Sequence, residues 1–298
     1  DKAEYTADSV KFIQKYYFDE PLYGSLTDRV MYIKNPSNAT YPEFNSFQSD
    51  FHIRDIYPNI NYDGGFSFQG AKVVGSGSEE EEHVKLTLFN NNQPILNLSS
   101  KSIFFYKDRV VSNRSEITIN LGNDSIYHPN LKFVYFVNRQ ELSILRNDDF
   151  ISKTPYFSSY HQLYMNFEQL VWDCNTPIIE FTALQSAAIA NANFESSNYY
   201  NTRDYYMLQR RDPVHPLIRL RDYSRKTKKR SFNAEDYANH LRLPAYQVKQ
   251  QLLELTVEGY VIYNAESEMV QLNDKLFSTI KAHYDQIDYD IINIVSET

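Results

Sequence analysis

The residue types that carry out most enzyme chemistry occur in this chain but do not come together in its sequence. A histidine metal site places its ligands at short fixed spacings, and a nucleophilic cysteine needs a neighbouring base. Nothing beside Cys174 in the sequence offers a base, and no two of the seven histidines stand at a metal-ligand spacing. Phosphate-binding, dinucleotide-binding and nucleophile-elbow motifs are also missing. We therefore expect no catalytic residue, metal or cofactor, and Cys174 is predicted to be a small buried hydrophobic residue.

Two charged runs stand out from the rest of the sequence. "GSGSEEEEH" (75–83) could hold a cation, but like charges repel, so a solvated loop between two strands is the favoured interpretation. "RKTKKR" (225–230) is basic and is either a solvated linker or a contact to a nucleic-acid backbone. In the second case the phosphate contacts would be Lys226, Lys228, Lys229 and Arg230.

The composition favours a strand-rich, acidic protein. Of the 298 residues, 15% are aromatic and only 8 are glycine, a balance typical of long strands that carry Tyr and Phe. The formal charge of -8 argues against a dedicated nucleic-acid binder, which usually has a net basic surface. No apolar run is long enough to span a membrane. Because the chain begins at Asp1, we expect a piece of a longer or processed protein.

Residues 1–200 are predicted to form a β-rich domain with aromatic strands. Val84, Leu86 and Leu88 alternate with polar residues, as the side chains of a half-buried strand do. "DGGFSFQGAKVVGSG" (63–77) concentrates the glycines and indicates bends or a close approach of backbones. The strand arrangement stays open between a β-solenoid or jelly-roll-like stack and a plain sandwich. Residues 181–200 are expected to be a short helix or an irregular connector.

Residues 201–298 are predicted to form a second, helical domain. Asn233 is a good helix N-cap, and Pro244 suits the first position of a further helix. Val248, Leu252 and Leu255 follow at helical spacing as an inward face. Gly259 stands where that helix should end, and two short strands follow it. This order of helix, turn, helix, glycine and hairpin resembles the winged helix-turn-helix family over about residues 216–285.

The outward face of the second helix of this pattern carries the candidate interaction residues. A winged helix that reads DNA aims this face at base edges and supports it with basic phosphate contacts. Here the only basic residue is Lys249, and the predicted wing carries Glu266 and Glu268. We therefore expect a protein contact, with DNA as the alternative, through Tyr246, Gln247, Lys249 and Gln250.

Several longer sequence segments show a second resemblance, which covers most of the chain. They are "GGFSFQGAKVVGSG", "NDSIYHPNLKFVYF", "YMNFEQLVWD" and "DPVHPLIRLRDYS", together with the winged-helix stretch. They resemble an interior segment of very large exported proteins of Bacteroidota. The resemblance implies a periplasmic or cell-surface setting, with a cytoplasmic one as the alternative. The implied partners are the remainder of a larger parent chain or other envelope proteins.

Three functional hypotheses follow for this α+β protein of several parts. The leading one is a non-enzymatic structural or protein-interaction segment of a large exported or cell-envelope protein. The first alternative is a nucleic-acid-binding regulator that uses the winged helix. The second is glycan or lipid binding by Tyr and Phe side chains of the β-rich part.

Overall fold

The computed structural model describes residues 3–13, 21–30, 39–70, 72–77, 82–182, 191–210 and 212–297. Strands make up about half of the protein and helices about a fifth. Most strands belong to a large antiparallel sheet, and the helices lie mostly toward the C-terminus. The predicted β-rich composition is confirmed. Most of the glutamate run lies outside the described residues, which resume at Glu82.

The chain forms two compact units, and each is built from more than one segment. The first contains residues 1–123, 130–145 and 169–180. The second contains residues 124–129, 146–168 and 181–298. The predicted C-terminal domain, residues 201–298, therefore belongs to a unit that also includes earlier strands.

The strands of the N-terminal two thirds are numbered in chain order. Strands β1 to β6 are Glu4–Phe12, Leu22–Arg29, Glu43–Ser46, Phe51–Tyr57, Ile60–Gln69 and Lys72–Ser76. Strands β7 to β12 are Val84–Asn90, Gln93–Ser100, Ser102–Phe105, Arg109–Leu121, Asp124–Phe136 and Glu141–Leu145. Strands β13 to β17 are Tyr156–Ser158, Leu163–Asn166, Gln169–Asp173, Ile179–Thr182 and Asn191–Ser196. A short 3-10 helix, Ile151–Lys153, precedes β13.

Strand β5 organises the first unit because different neighbours pair with its two halves. Its first half pairs with β4 and β7, and its second half pairs with β3 and β6. Further along, β7 pairs with β8, β8 pairs with β10, and β12 pairs with β11 and β15. Val84, Leu86 and Leu88 of β7 are all buried, so the predicted alternation is confirmed.

The glycine-rich segment allows a tyrosine ring to lie directly against the backbone of neighbouring strands. Tyr62 is fully buried, and its hydroxyl donates a hydrogen bond to the carbonyl oxygen of Gly65. A Cβ atom on Gly75 would lie 2.4 Å from the Tyr62 hydroxyl oxygen, and one on Gly64 would lie 2.4 Å from Val84 Cγ1. Both glycines are therefore required by close packing, as the sequence predicted.

One prediction, for residues 181–200, is wrong in the second unit. Residues 181–200 were expected to be helical or irregular, but Asn191–Ser196 forms β17. This strand pairs with β14 on one side, and β14 pairs with β13. Pairing with distant strands stabilises an extended conformation that local residue preference does not indicate. Residues 183–190 lie outside the described residues.

The remaining elements of the second unit that the structure describes are five helices and four strands. The helices α1 to α5 are Thr202–Gln209, Pro216–Thr227, Ala234–Leu241, Ala245–Val257 and Asp274–His283. The strands β18 to β21 are Ser231–Asn233, Val261–Asn264, Met269–Leu272 and Asn293–Glu297. Strand β20 pairs with both β18 and β19, and β21 pairs with β17.

Local sequence signals set the ends of these helices. The Asn233 side chain caps α3 by accepting a hydrogen bond from the Glu235 backbone N–H at 2.8 Å, which confirms the predicted cap. Pro244 was expected at the first helical position, but it stands immediately before α4, which begins at Ala245. Gly259 follows the helix with a φ of 77°, a conformation that glycine adopts at little cost.

The inward face of α4 contributes to one hydrophobic core. Val248, Leu252 and Leu255 are buried together with side chains from α2, α3, α5 and the small sheet. The predicted inward face is therefore confirmed. Tyr237 of α3 and Leu217 of α2 are among the fully buried members of this core.

A buried lysine joins the helices to the sheet within the second unit. Lys275 of α5 has a side chain only 7% exposed, and its Nζ lies 2.7 Å from Oε1 of Glu195 on β17, whose side chain is 17% exposed. The same ammonium donates a hydrogen bond to the backbone carbonyl of Glu258 at 2.8 Å. It also lies about 5 Å from the ring centroids of Tyr164 on β14 and Tyr260. One cation thus contacts α5, the segment after α4, and two strands of the sheet.

Removing this lysine is expected to destabilise the protein strongly. Lys275→Met would leave the Glu195 carboxylate buried without its partner, so we expect the free energy of unfolding to fall by about 3–5 kcal/mol. Denaturant titration measures the change. Combining Lys275→Met with Glu195→Gln should recover part of the loss, because the unpaired charge is then removed.

Arg230 provides a matched control for this experiment. Its ion pair with Asp274 at 2.7 Å is exposed, with side chains 61% and 85% accessible. Arg230→Met is therefore expected to cost no more than about 1 kcal/mol. If Lys275→Met and Arg230→Met lower the free energy of unfolding equally, the buried Lys275 does not stabilise the fold more than the exposed Arg230 does, and our interpretation is wrong.

His128 is a buried histidine that makes the fold sensitive to acid. Its Nε2 donates a hydrogen bond to the Thr154 carbonyl at 2.8 Å. Burial, reinforced by the positive charge of Arg146, holds the pKa of His128 well below its ordinary value of 6.5. The unfolded chain therefore binds a proton at a pH where the folded protein does not. The neutral His128 side chain therefore contributes to the free energy of unfolding at neutral pH, and this contribution is lost as the pH falls below about 6.5.

The pH dependence gives a direct measurement of this effect. Below about pH 6.5, we expect the unfolding free energy to fall by up to about 1.4 kcal/mol per pH unit for this one histidine. His128→Gln should flatten this part of the profile, since glutamine does not titrate. His161, which is exposed, supplies the control variant His161→Gln. Identical pH profiles for the wild type and His128→Gln would refute the assignment.

Candidate functional site

A groove of about 1320 Å³ lies in the second unit, along helix α4. Its walls come from α1, the segment that joins α1 to α2, the start of α2, and α4, and the middle of β17 and the start of β21 also contribute. The polar and charged residues that line the groove include Asp204, Arg210, Gln247, Gln250, Glu258 and Asn293. Side chains from residue 193 to residue 293 thus meet along one surface.

Three of the four predicted interaction residues lie on the exposed part of α4. Gln247 and Gln250 are exposed and line the groove. Tyr246 is 68% exposed, and its hydroxyl accepts a hydrogen bond from the Gln247 side-chain amide at 3.1 Å. A large aromatic side chain and two amides are therefore available to a partner on this helix face.

Lys249, the fourth predicted residue, is occupied by acidic side chains. Its ammonium forms an ion pair and hydrogen bond with Glu268, on the turn between β19 and β20, and lies 3.9 Å from Glu235. The hydrogen bond with Glu268 raises the pKa of Lys249. Because Lys249 is the only basic residue of α4, this helix presents no unneutralised cation to a phosphate group.

The predicted phosphate contacts lie at the end of α2 and in the segment that follows. Lys226 is in the last turn of α2, Lys228 ends the helix in a left-handed conformation with a φ of 58°, and Lys229 follows. All three lysines are exposed. Arg230 differs, because it pairs with Asp274 and stacks over the Phe277 ring at 4.6 Å. Among the described residues, no hydrogen bond or ion pair joins this run to α4.

The charges along the groove are unevenly neutralised. Arg210 pairs with Glu254 at 3.0 Å, and Arg219 lies 3.6 Å from Asp212. Within the described part of the chain, no ion pair engages the carboxylates of Asp204 and Glu258, which also line the groove.

Glu258 has a raised pKa, and withdrawal from water is the main cause. The nearby positive charge of Lys275 lowers the pKa in part, and the charges of Glu195 and Asp204 each raise it by less. Asp204 and Glu258 also line the same groove. This part of the groove is suited to a positively charged group.

Sequence patterns did not indicate Asp204, Arg210, Glu258 or Asn293 as site residues. They lie on different elements, and their neighbours in the sequence form no motif. Asn293 reaches the groove because β21 pairs with β17, a strand about a hundred residues earlier in the chain.

Two of the residues considered for catalysis are buried and used for packing. Cys174 is buried, as predicted, and burial raises the pKa of its thiol to about 12. His215 is also buried and stacks on Tyr205 with ring centroids 3.8 Å apart. Within the described ranges, no three His, Cys, Asp or Glu side chains are grouped to hold a metal ion.

Helices in the described part of the chain are too short or too polar to cross a membrane. Comparison of the chain with protein-family models, curated proteins and solved structures finds no match.

Proposed function

We propose that this chain is a non-enzymatic structural and protein-interaction segment of a larger exported protein. Its contact surface is the exposed face of α4 together with the adjoining groove. The observation that carries the proposal is the position of Lys249, which is held by Glu268 on the side of the helix where a DNA reader needs a free cation. Tyr246 stands exposed beside it, and tyrosine is enriched in protein interfaces.

The C-terminal elements support a module of the winged-helix kind. Helices α2, α3 and α4 precede a hairpin of β19 and β20, and β18 completes a small antiparallel sheet. In this interpretation α4 occupies the place of the recognition helix and the β19–β20 turn is the wing. The winged-helix fold by itself leaves the type of partner open. The acidic wing and the neutralised Lys249 favour a protein.

The proposed setting follows from the resemblance to large exported Bacteroidota proteins. The partner is then another part of the parent chain or a second envelope protein. Glycan or lipid binding by the first unit has less support, because many of its rings pack on one another. Tyr62 and Phe105, for example, form an edge contact with centroids 5.2 Å apart, and both are buried.

Site-specific photo-cross-linking in cells tests the proposed contact surface. A photoreactive residue at Gln250, in the groove, is expected to form a discrete adduct with an envelope protein or with another part of the parent chain. The same residue at Lys281, exposed on α5 and outside the groove, is the control. Adducts of equal yield from both positions, or adducts with nucleic acid, would overturn the proposal.

Nucleic-acid binding is the second candidate, and the exposed lysines at the end of α2 favour it. Lys226, Lys228 and Lys229 form no ion pair with residues that the structure describes. If they contact phosphate, duplex DNA should bind at low salt and dissociate as salt rises, because counterions are released on binding. Reversing the charges of Lys226, Lys228, Lys229 and Arg230 should then abolish the complex. Our proposal expects no complex at micromolar protein in a low-salt gel shift.

A further inference from the structure

Strand β21 offers an unprotected edge beside the groove. In the described part of the chain it is registered against β17 alone, through five consecutive antiparallel residue pairs without a bulge. Ile294 and Val295 are 57% and 60% exposed. Natural sheet edges are usually blunted by lysine, proline or a bulge, and the sequence Asn-Ile-Val-Ser-Glu of β21 has none of these. Within the described residues, no strand pairs with the outer side of β21, so this side is available to a further strand.

The hydrogen bonding of β21 shows which of its amides point outward. The Ser196 N–H donates to the Ile292 carbonyl at 3.1 Å, so these two residues form a hydrogen-bonded pair. Antiparallel strands alternate between hydrogen-bonded and non-hydrogen-bonded pairs. Ile294 is consequently bonded to β17, whereas the N–H groups of Asn293 and Val295 face the open edge. Two donors are therefore available to a new strand without any loss of existing bonds.

The two faces of β21 differ in chemistry. Side chains alternate along a strand, so Asn293 and Val295 share the face of their partners Glu195 and Asn193, which line the groove. Ile294 lies on the other face, opposite Phe194. An added strand would thus place every second side chain toward the acidic groove and the others beside exposed apolar surface.

We propose that the β21 edge binds an extended segment of a partner protein as an added strand, with basic residues alternating with apolar ones. The basic side chains face Asp204 and Glu258, and the apolar side chains cover Ile294. Main-chain hydrogen bonds supply affinity in this type of recognition, and alternate side chains supply specificity. A second copy of β21 fits less well, because this strand contains no basic residue to meet the acids. The inference rests on the proposed interaction function and specifies the chemistry of the partner.

Peptide binding to the full chain tests the edge directly. The probe is a fluorescent, end-blocked peptide of alternating Lys and Val, measured by anisotropy. Val295→Pro removes an outward N–H and keeps the pairing with β17, so we expect affinity to fall about tenfold or more. Val295→Ala keeps the N–H and should bind nearly as well as the wild type. Circular dichroism and thermal unfolding establish that both variants are folded.

The charge pattern is tested with matched peptides and variants. A peptide with the same composition but with its Lys and Val residues in separate blocks should bind at least about threefold more weakly. Asp204→Asn combined with Glu258→Gln should weaken the alternating peptide and reduce the salt dependence of its binding. Equal binding of both peptides, or unchanged binding to Val295→Pro, would overturn the inference.

The outcomes separate this inference from the function on which it rests. If Val295→Pro changes nothing while the cross-link from position 250 persists, the strand-addition proposal fails and the interaction function stands. If sedimentation shows a dimer that Val295→Pro dissociates, the occupant is a second copy, and the basic partner proposed above is wrong. If the cross-link from position 250 is absent but the peptide still binds, the contact surface proposed on α4 is wrong and the strand-addition proposal stands.

Discussion

The second unit depends on the burial of one ammonium group. Lys275 is withdrawn from water, so its charge is tolerable only because Glu195, the Glu258 carbonyl and two tyrosine rings surround it. These partners come from the sheet and from the segment after α4. The helices and the sheet of this unit must therefore meet in an arrangement that satisfies the cation. The groove along α4, whose lining includes Glu195 and Glu258, takes part of its shape from the same requirement.

The distribution of neutralised and open charges is the basis on which we propose a protein partner rather than nucleic acid. On the wing side of α4, Glu268 holds Lys249, so a cation that would attract phosphate is already compensated. On the groove side, Asp204 and Glu258 line the same groove and form no ion pair within the described residues, which favours an incoming positive charge. A phosphate backbone would meet acids on both sides. The exposed lysines after α2 are the one feature that favours the opposite interpretation.

The acidic groove and the open strand edge together specify the chemistry of the partner that we propose. A groove of mixed polarity does not by itself specify the chemistry of its ligand. An exposed strand edge alone can pair with many different extended segments. Asn293 of β21 lines the same groove as Asp204 and Glu258, so in the proposed complex the spacing of side chains along the added strand is part of the recognition. Backbone pairing and charge pattern then have to agree, which restricts the set of sequences that bind.

The sequence by itself determined the features that depend on short-range periodicity. Val84, Leu86 and Leu88 alternate and are buried, and Val248 and Leu252 follow a helical spacing and form a core. Burial of an apolar face can be inferred from such patterns because it requires only that some other element cover it. The local sequence does not encode which element provides this cover or pairs with a strand. β17 is an example, because its Ala- and Asn-rich surroundings suggested a helix or connector.

Only the tertiary structure decided the partners of the charged groups and the site that they form. Lysine is rarely buried, so nothing in the sequence around Lys275 predicted its position. The partner of Lys249 is nineteen residues away, and the groove joins residues a hundred positions apart. The energy of a charge depends on its distance from other charges and on its exposure to water. Both quantities are set by the packing of distant segments, which is why α4 could be predicted as a helix but its neutralised cation could not.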